Sequence, residues 1–207
     1  LTHQLPIRRM PYPDEIVLPL RQHAGKPATL CVQVGDHVER GDPVGLADGW
    51  VSVPIHSSAA GRVTDIGMWP HPDGTMSTAV RIAVDRYAAQ VPRPRMVPHW
   101  EGLSTDEVVR AVQEAGVVGL GGAAFPTHVK LAPPADFPVH TLIINGAECE
   151  PYLTSDHRTM AEYPARVMFG IRVMMHTMKV SKCVVGVERN KPDAIAALRG
   201  ALPADLD

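Results

Sequence analysis

The sequence predicts an α+β multidomain chain: an all-β module first, then an α/β domain whose strands run parallel. Three observations carry that expectation. From Ala28 to Val84, short β-prone runs alternate with glycine turns and no helical stripe appears. At Ser104 the apolar period changes to that of a helix. From Thr141 to Leu198, an apolar run, a helical stripe, a second apolar run and a second helical start follow one another, the order of a βαβ unit.

Residues 1–27 carry Pro6, Pro11, Pro13, Pro19 and Pro27 and read as an extended arm, with Ile16-Val17-Leu18 as a short strand. Thr29 to Val34 is β-prone, and Gly35-Asp36, Gly41-Asp42-Pro43 and Asp48-Gly49 are turns. Val34 to Val44 reads as a hairpin. Ala60 to Ile66 alternates inward and outward residues, and Ala79 to Val84 does the same. Such strands close into a small barrel or sandwich. Pro92, Pro94 and Pro98 mark a linker, which sets domains at 1–95 and 96–207. Ser104-Thr105-Asp106-Glu107 is a capping box opening a helix that stops at Gly116. Thr141 to Ile144 is a buried parallel strand, Pro164 to Met178 a helix with a methionine stripe that fills a core, Cys183 to Val187 a second strand, and Asp193 to Leu198 a helix start. Two strands are few for a stable sheet, so the second domain is expected to continue beyond Asp207. Leu1 in place of a start methionine implies residues upstream.

Composition narrows the function. The net charge is −2, from 20 basic and 22 acidic residues, which disfavours nucleic acid as the partner. Cys31, Cys149 and Cys183 are widely spaced with no CxxC pair, so no zinc or iron–sulfur motif and no disulfide scaffold is expected among them. That pattern fits a reducing compartment. The ten histidines include no HxH or HxxxH arrangement, and His56, His71, His128 and His157 read as surface or satisfied residues. No secretory signal opens the chain, and its apolar runs are too short to cross a bilayer.

Two stretches can carry chemistry. In Gly119-Leu120-Gly121-Gly122-Ala123-Ala124-Phe125-Pro126-Thr127, three glycines within four residues permit positive φ and close approach of a ligand to the backbone. Consecutive inward amides form an anion nest, and Lys130 adds a point charge for a phosphate. The run follows a helix rather than a strand, so it fails the context of an ordinary dinucleotide fingerprint. It also lacks the Gly-Lys-Ser/Thr of a Walker loop. The alternative is a turn that only joins two elements. In Asn145-Gly146-Ala147-Glu148-Cys149-Glu150-Pro151-Tyr152, a donor–acceptor amide and two carboxylates sit just past a strand end, where ligands of open α/β sheets bind. The alternative is a solvated acidic loop, with Cys149 a partly buried packing residue.

Val34 to Val44 and Ser58 to Val63 look similar to the two halves of a biotinyl/lipoyl-type domain, but the expected tip, Asp48-Gly49-Trp50-Val51, has no lysine for a swinging arm. That implies a barrel-sandwich shape used for docking, without carrier function. Together with the two motifs above, Val129-Lys130-Leu131 and Leu18-Pro19-Leu20-Arg21-Gln22-His23, the chain resembles the RnfC family. Members of that family are the NADH-binding subunits of Rnf electron transport complexes, and their flavin domain is related to the complex I flavoprotein subunit. The resemblance covers nearly the whole chain, and two long motifs in order are more specific than either alone.

The resemblance implies a barrel-sandwich hybrid (biotinyl/lipoyl-like) β module followed by an incomplete α/β Rossmann-like FMN-binding domain. It implies that Gly119, Leu120, Gly121 and Gly122 wrap FMN, that Lys130 binds its phosphate or ribityl chain, and that Asn145 and Glu148 hold it from the strand end. Phe125 would stack on NADH and Glu150 would position it. No catalytic side chain and no protein-bound metal are expected in these residues, because the flavin performs the hydride chemistry. The 4Fe-4S clusters are expected in a C-terminal segment beyond this chain. The implied function is NADH/ferredoxin oxidoreductase, by a chain inactive on its own, with ferredoxin and the other subunits of a membrane electron transport complex as partners. The implied place is the cytoplasmic face of the inner membrane. Two positions depart from the family: Ala124 stands where glycine is usual, and Gly146 where alanine is usual. Alternatives are cobalamin reductase of a propanediol-utilisation microcompartment, a flavin-less quinone-reductase subunit, and a biotin or lipoate carrier.

Overall fold

The computed structural model describes residues 2–92, 99–134 and 136–203. The expected domain boundary at residues 95 and 96, with Pro94 and Pro98 of the linker, lies outside them. By contact the chain forms two compact units. One is Pro11–His99 with Asp106–Ala132; the other is Leu1–Met10, Trp100–Thr105 and Pro133–Asp207.

The first unit holds β1 (Glu15–Pro19), β2 (Thr29–Leu30), β3 (His37–Val38), β4 (Pro43–Leu46), β5 (Ile55–His56), β6 (Gly61–Pro70) and β7 (Met76–Val84). They make a four-stranded sheet in the order β1-β7-β6-β3 and a three-stranded sheet in the order β2-β4-β5. All pairings are antiparallel. Inward residues of both sheets, among them Val38, Val44, Val63, Val80 and Ile82, meet in one core. Each such side chain contributes about 1.5–3 kcal/mol by leaving water.

The expected hairpin from Val34 to Val44 does not form. β3 pairs with β6, whereas β4 pairs with β2 and β5. The turn at Gly41, with φ +94°, carries the chain from one sheet to the other. There the Gly41 amide donates to the Ser57 carbonyl at 2.8 Å and the Ser57 amide donates to Asp42 at 2.8 Å, so the backbone bonds distant partners instead of its sequence neighbours. The β-prone run from Thr29 likewise ends at Leu30, because Asp36 Oδ2 accepts from the Gln33 amide at 2.9 Å and bends the chain. Local alternation identifies strand-forming residues but not their partners.

This unit ends with α1 (Thr105–Glu114), which begins directly after Ser104, buries Val108 and Val109, and stops at Gly116 with φ +70°. A four-residue helix, α2 (Thr127–Lys130), follows the glycine stretch.

In the other unit, β8 (Thr141–Asn145) and β9 (Lys182–Gly186) pair in parallel with Thr141 opposite Lys182. Between them run α3 (Ser155–Glu162) and α4 (Pro164–Met178), and α5 (Pro192–Gly200) follows β9. Leu142, Met160, Met168, Ile171, Met175 and Leu198 form the core. The β-α-β-α order holds, with α3 added to the crossover. Its polar sequence, SDHRTMAE, has only Met160 and His157 to bury, too little for a stripe to show.

Candidate functional site

The glycine stretch is a closed loop. Val118 and Pro126 bridge antiparallel at its neck; the Gly119 amide donates to Phe125 at 3.0 Å and the Thr127 amide donates to Val117 at 3.0 Å. α2 starts at once beyond the neck, and this turns Lys130 back over the loop. A Cβ at Gly119 would lie 2.7 Å from Lys130 Nζ, so the missing side chain is the space the ammonium occupies. Gly121 and Gly122 have nothing within 4 Å of such a Cβ, and Gly122 has φ +145°. The loop therefore presents open backbone with a cation against its first residue, a combination suited to a phosphate. Leu120 is 91% exposed and Phe125 37% exposed, which leaves the Phe125 ring partly available for stacking.

Ala124 takes φ +49°. A β-carbon in that region costs about 1–2 kcal/mol, which explains the glycine usual there in the resembling family. The neck and a bond from the Ala24 amide to the Ala124 carbonyl at 3.3 Å hold it. Beside the loop lies a groove of about 660 Å³, walled by Arg21, Gln22, His71 and Asp73 on one side and Gly122 to Ala124 on the other. Arg21 pairs with Asp73 at 3.6 Å, and His71 donates from Nε2 to the Arg21 carbonyl at 2.8 Å, while its Nδ1 lies 2.9 Å from Asp73 Oδ1.

In the other unit, the second stretch leaves β8 at Asn145, whose exposed side chain turns the loop by accepting from the Ala147 amide at 3.1 Å. Glu148 has only 4% of its side chain exposed. Its Oε1 accepts from the Asp156 amide at 2.8 Å in the first turn of α3, and its Oε2 lies 3.4 Å from Lys191 Nζ. A carboxylate at a helix start is favoured by the amides and dipole there, so Glu148 has a structural duty already. Lys191 also approaches Glu188 at 3.8 Å. Glu150 is exposed, and so is Cys149, contrary to the partly buried packing residue expected: the loop runs outward between them and the Cys149 thiol donates to Glu150 at 3.6 Å.

Partial burial, and then repulsion from Glu148 and Glu150, raise the pKa of Asp156. A carboxyl whose folded pKa is raised opposes folding once ionised. Its penalty is absent below the unfolded pKa and complete above the folded one. Asp156→Asn is therefore expected to raise the thermal midpoint at pH 7, modestly since the side chain reaches solvent, and to match the parent near pH 3. An unchanged midpoint at both pH values would remove the repulsion argument.

Gly146 is buried, and a Cβ there would lie 2.8 Å from Met160 Sδ and 3.0 Å from the Gly186 carbonyl. Met160 thus fills the room that the family's usual alanine needs. Gly146→Ala is expected to cost about 1–3 kcal/mol in urea unfolding, and Gly146→Ala with Met160→Leu less. Equal loss in both would mean that Met160 is not the obstacle.

The structure places Gly119, Leu120, Gly121, Gly122, Phe125 and Lys130 in one unit, gathered on one loop, and Asn145, Glu148 and Glu150 in the other, on one strand end. Sequence reasoning missed Lys191, Glu188 and Asp156 around Glu148, and Arg21, Gln22 and His71 beside the glycine loop. The Glu-x2-Lys spacing of Glu188 and Lys191 was the available signal for the first group; in the second, Arg21 and Gln22 stand in the stretch Leu18 to His23 that supports the family resemblance, and His71 had no signal. Among the described residues no group of three or more potential ligands gathers for a metal. None of their helices is long and apolar enough to cross a membrane.

Two family models match the chain. Residues 1–87 match the family model of the RnfC barrel sandwich hybrid domain, and residues 112–206 that of the Nuo51 FMN-binding domain. The chain is 44% identical over 203 residues to the C subunit of the proton-translocating ferredoxin:NAD(+) oxidoreductase complex of Clostridium ljungdahlii, covering 97% of this chain and 44% of the relative. It is 41% identical over 204 residues to the Na(+)-translocating counterpart of Acetobacterium woodii, covering 99% and 46%. It is 37% identical over 204 residues to the C subunit of the ion-translocating oxidoreductase complex of Edwardsiella ictaluri, covering 98% and 25%. The chain thus spans less than half the length of these curated relatives.

Proposed function

The chain belongs to the RnfC family, and from that premise we propose that it is the flavin-holding part of a larger polypeptide that passes electrons between NADH and ferredoxin. The observation that carries this reading is Lys130 Nζ lying against Gly119 in a loop of open backbone. The donor set fits FMN: amides and an ammonium for the phosphate, a half-exposed Phe125 for a ring. The names of the three relatives fit this reading and do not favour the cobalamin reductase alternative.

In the proposed site, Gly119, Leu120, Gly121 and Gly122 bring main-chain amides to the phosphate and ribityl chain, and Lys130 neutralises the phosphate charge. Asn145 offers its amide to the cofactor, and Glu148, anchored by Lys191 and α3, keeps that strand end in shape while supplying a carboxylate edge. Phe125 stacks on the nicotinamide nucleotide and Glu150 orients it. FMN, when bound, supplies hydride and single-electron chemistry that no side chain here provides. The 4Fe-4S clusters that would carry electrons onward need closely spaced cysteines, so Cys31, Cys149 and Cys183 are not their ligands.

We keep the domain boundary at residues 95 and 96, supported by the gap between the two family matches. The proposed partners are ferredoxin, NADH and the other subunits of a membrane complex. The proposed place is the cytoplasmic face of the inner membrane, reached by docking. The test is the full-length polypeptide carrying these residues, purified and assayed for flavin absorbance and NADH oxidation. Bound flavin and NADH oxidation are expected; the lack of both overturns the proposal.

A further inference from the structure

In a biotinyl/lipoyl-type carrier the tip loop presents a lysine to solvent. Here the tip carries Asp48, Gly49, Trp50 and Val51. The carbonyls of Gly49, Trp50, Val51 and Ser52 all accept hydrogen bonds from elsewhere. Gln113 Nε2 donates to Gly49 at 3.3 Å and to Ser52 at 3.0 Å. His128 Nε2 lies 2.7 Å from the Trp50 carbonyl and must be the donor, because a carbonyl only accepts. The Lys26 amide donates to Val51 at 3.0 Å.

Two of these donors flank the glycine loop in sequence. Gln113 is in the last turn of α1, ahead of the loop; His128 is in α2, just beyond its neck. His128 is 0% exposed and meets the Trp50 ring edge-on at 5.0 Å. Two residues on is Lys130, whose Nζ rests against Gly119. We infer that the tip loop at residues 48–52 is a bracket that grips both arms of the glycine loop, with Trp50 and His128 as positioning residues that set Lys130 over its amides. A carrier tip has become a fixed support. The physical reason is rigidity. A loop of open glycines loses much backbone entropy on ordering, and a ligand site needs that cost met by its surroundings beforehand.

The grip on the glycine loop stands without a ligand, whereas its effect on phosphate binding rests on the proposed function. The test uses the full-length polypeptide with His128→Leu, which keeps apolar bulk but removes the donor, and His128→Gln, whose amide nitrogen can still reach the Trp50 carbonyl. In flavin-free protein, His128→Leu should speed amide exchange at Gly119 and Thr127 about tenfold, the worth of one hydrogen bond. His128→Gln should keep exchange within about threefold of the parent. Binding of FMN and of riboflavin, which lacks the phosphate, is then compared. His128→Leu should lose FMN preference as Lys130→Gln does, and the double variant should be no worse than Lys130→Gln alone.

Unchanged exchange in His128→Leu overturns the bracket. Equal loss of FMN and riboflavin, or additive losses in the double variant, overturns the action through Lys130. If His128→Leu fails to fold, Gln113→Met removes the other grip and should speed the same two amides; if it does not, the bracket falls. A parent protein that binds neither flavin overturns the proposed function, and the exchange comparison still decides the bracket.

Discussion

Lys130→Gln in the full-length polypeptide is expected to weaken FMN binding by about 10- to 100-fold, the worth of a charge-assisted hydrogen bond. Riboflavin binding should stay within about twofold, because it has no phosphate to pair. Nothing but a glycine fits at position 119 with the ammonium where it is, since a Cβ would lie 2.7 Å from Nζ. Lys130 is held there by a short helix that starts directly at the loop neck. Glutamine keeps most of the chain length and removes the charge. Titration of flavin fluorescence against both ligands reads the difference. An FMN affinity equal to the parent's would show that the phosphate sits elsewhere, and the assignment of the loop would fail with it.

The largest effect on stability is expected from Gly61→Ala. Gly61 opens β6 between two neighbours, opposite Val84 in β7 and opposite Val38 in β3. A Cβ there would lie 2.1 Å from the Ala83 carbonyl and 2.9 Å from Ile82 Cγ2, and Ile82 belongs to the fully buried core. Two paired strands cannot both yield, so the cost is expected at about 3 kcal/mol or more. Gly67→Ala on the same strand is the control: its Cβ would meet nothing nearer than Asp65 Oδ2 at 3.9 Å. Removing a flexible residue from a strand should leave stability unchanged or raise it by about 0.5–1 kcal/mol. Urea unfolding followed by far-ultraviolet circular dichroism separates the two. Equal midpoints for both variants would refute the close approach at Gly61.

Much of this was legible along the chain. The capping box at Ser104 and the stop at Gly116 mark a helix that the structure runs from Thr105 to Glu114. The stripe from Pro164 to Met178 is a helix over those same residues. The apolar runs at Thr141 and Cys183 are parallel partners. These readings succeed because one face of each element is buried, and burial leaves a period in the sequence. The hairpin expected at Val34 to Val44 fails because strands of two residues carry no period, and their partners are chosen by distant backbone. α3 was missed because its sequence is mostly polar: Met160 is its one apolar side chain in the core, too little for a stripe, and hydrogen bonds with Glu148 and Asp193 add to that contact.

Residue type and spacing alone were enough to read the order of barrel-sandwich and flavin domain, the resemblance to the RnfC family, and two loops as candidates for the chemistry. All of these rest on residue type at fixed spacing, which survives without coordinates. What each polar group touches is visible in the folded chain alone. The fold set Lys130 against Gly119, engaged Glu148 with α3 and Lys191, left Cys149 exposed, and joined the lysine-less tip at Trp50 to His128. A hydrogen bond or ion pair exists only within about 3–4 Å and a narrow range of angles. Residues that are 78 positions apart, as Trp50 and His128 are, leave no trace of such a distance in their spacing.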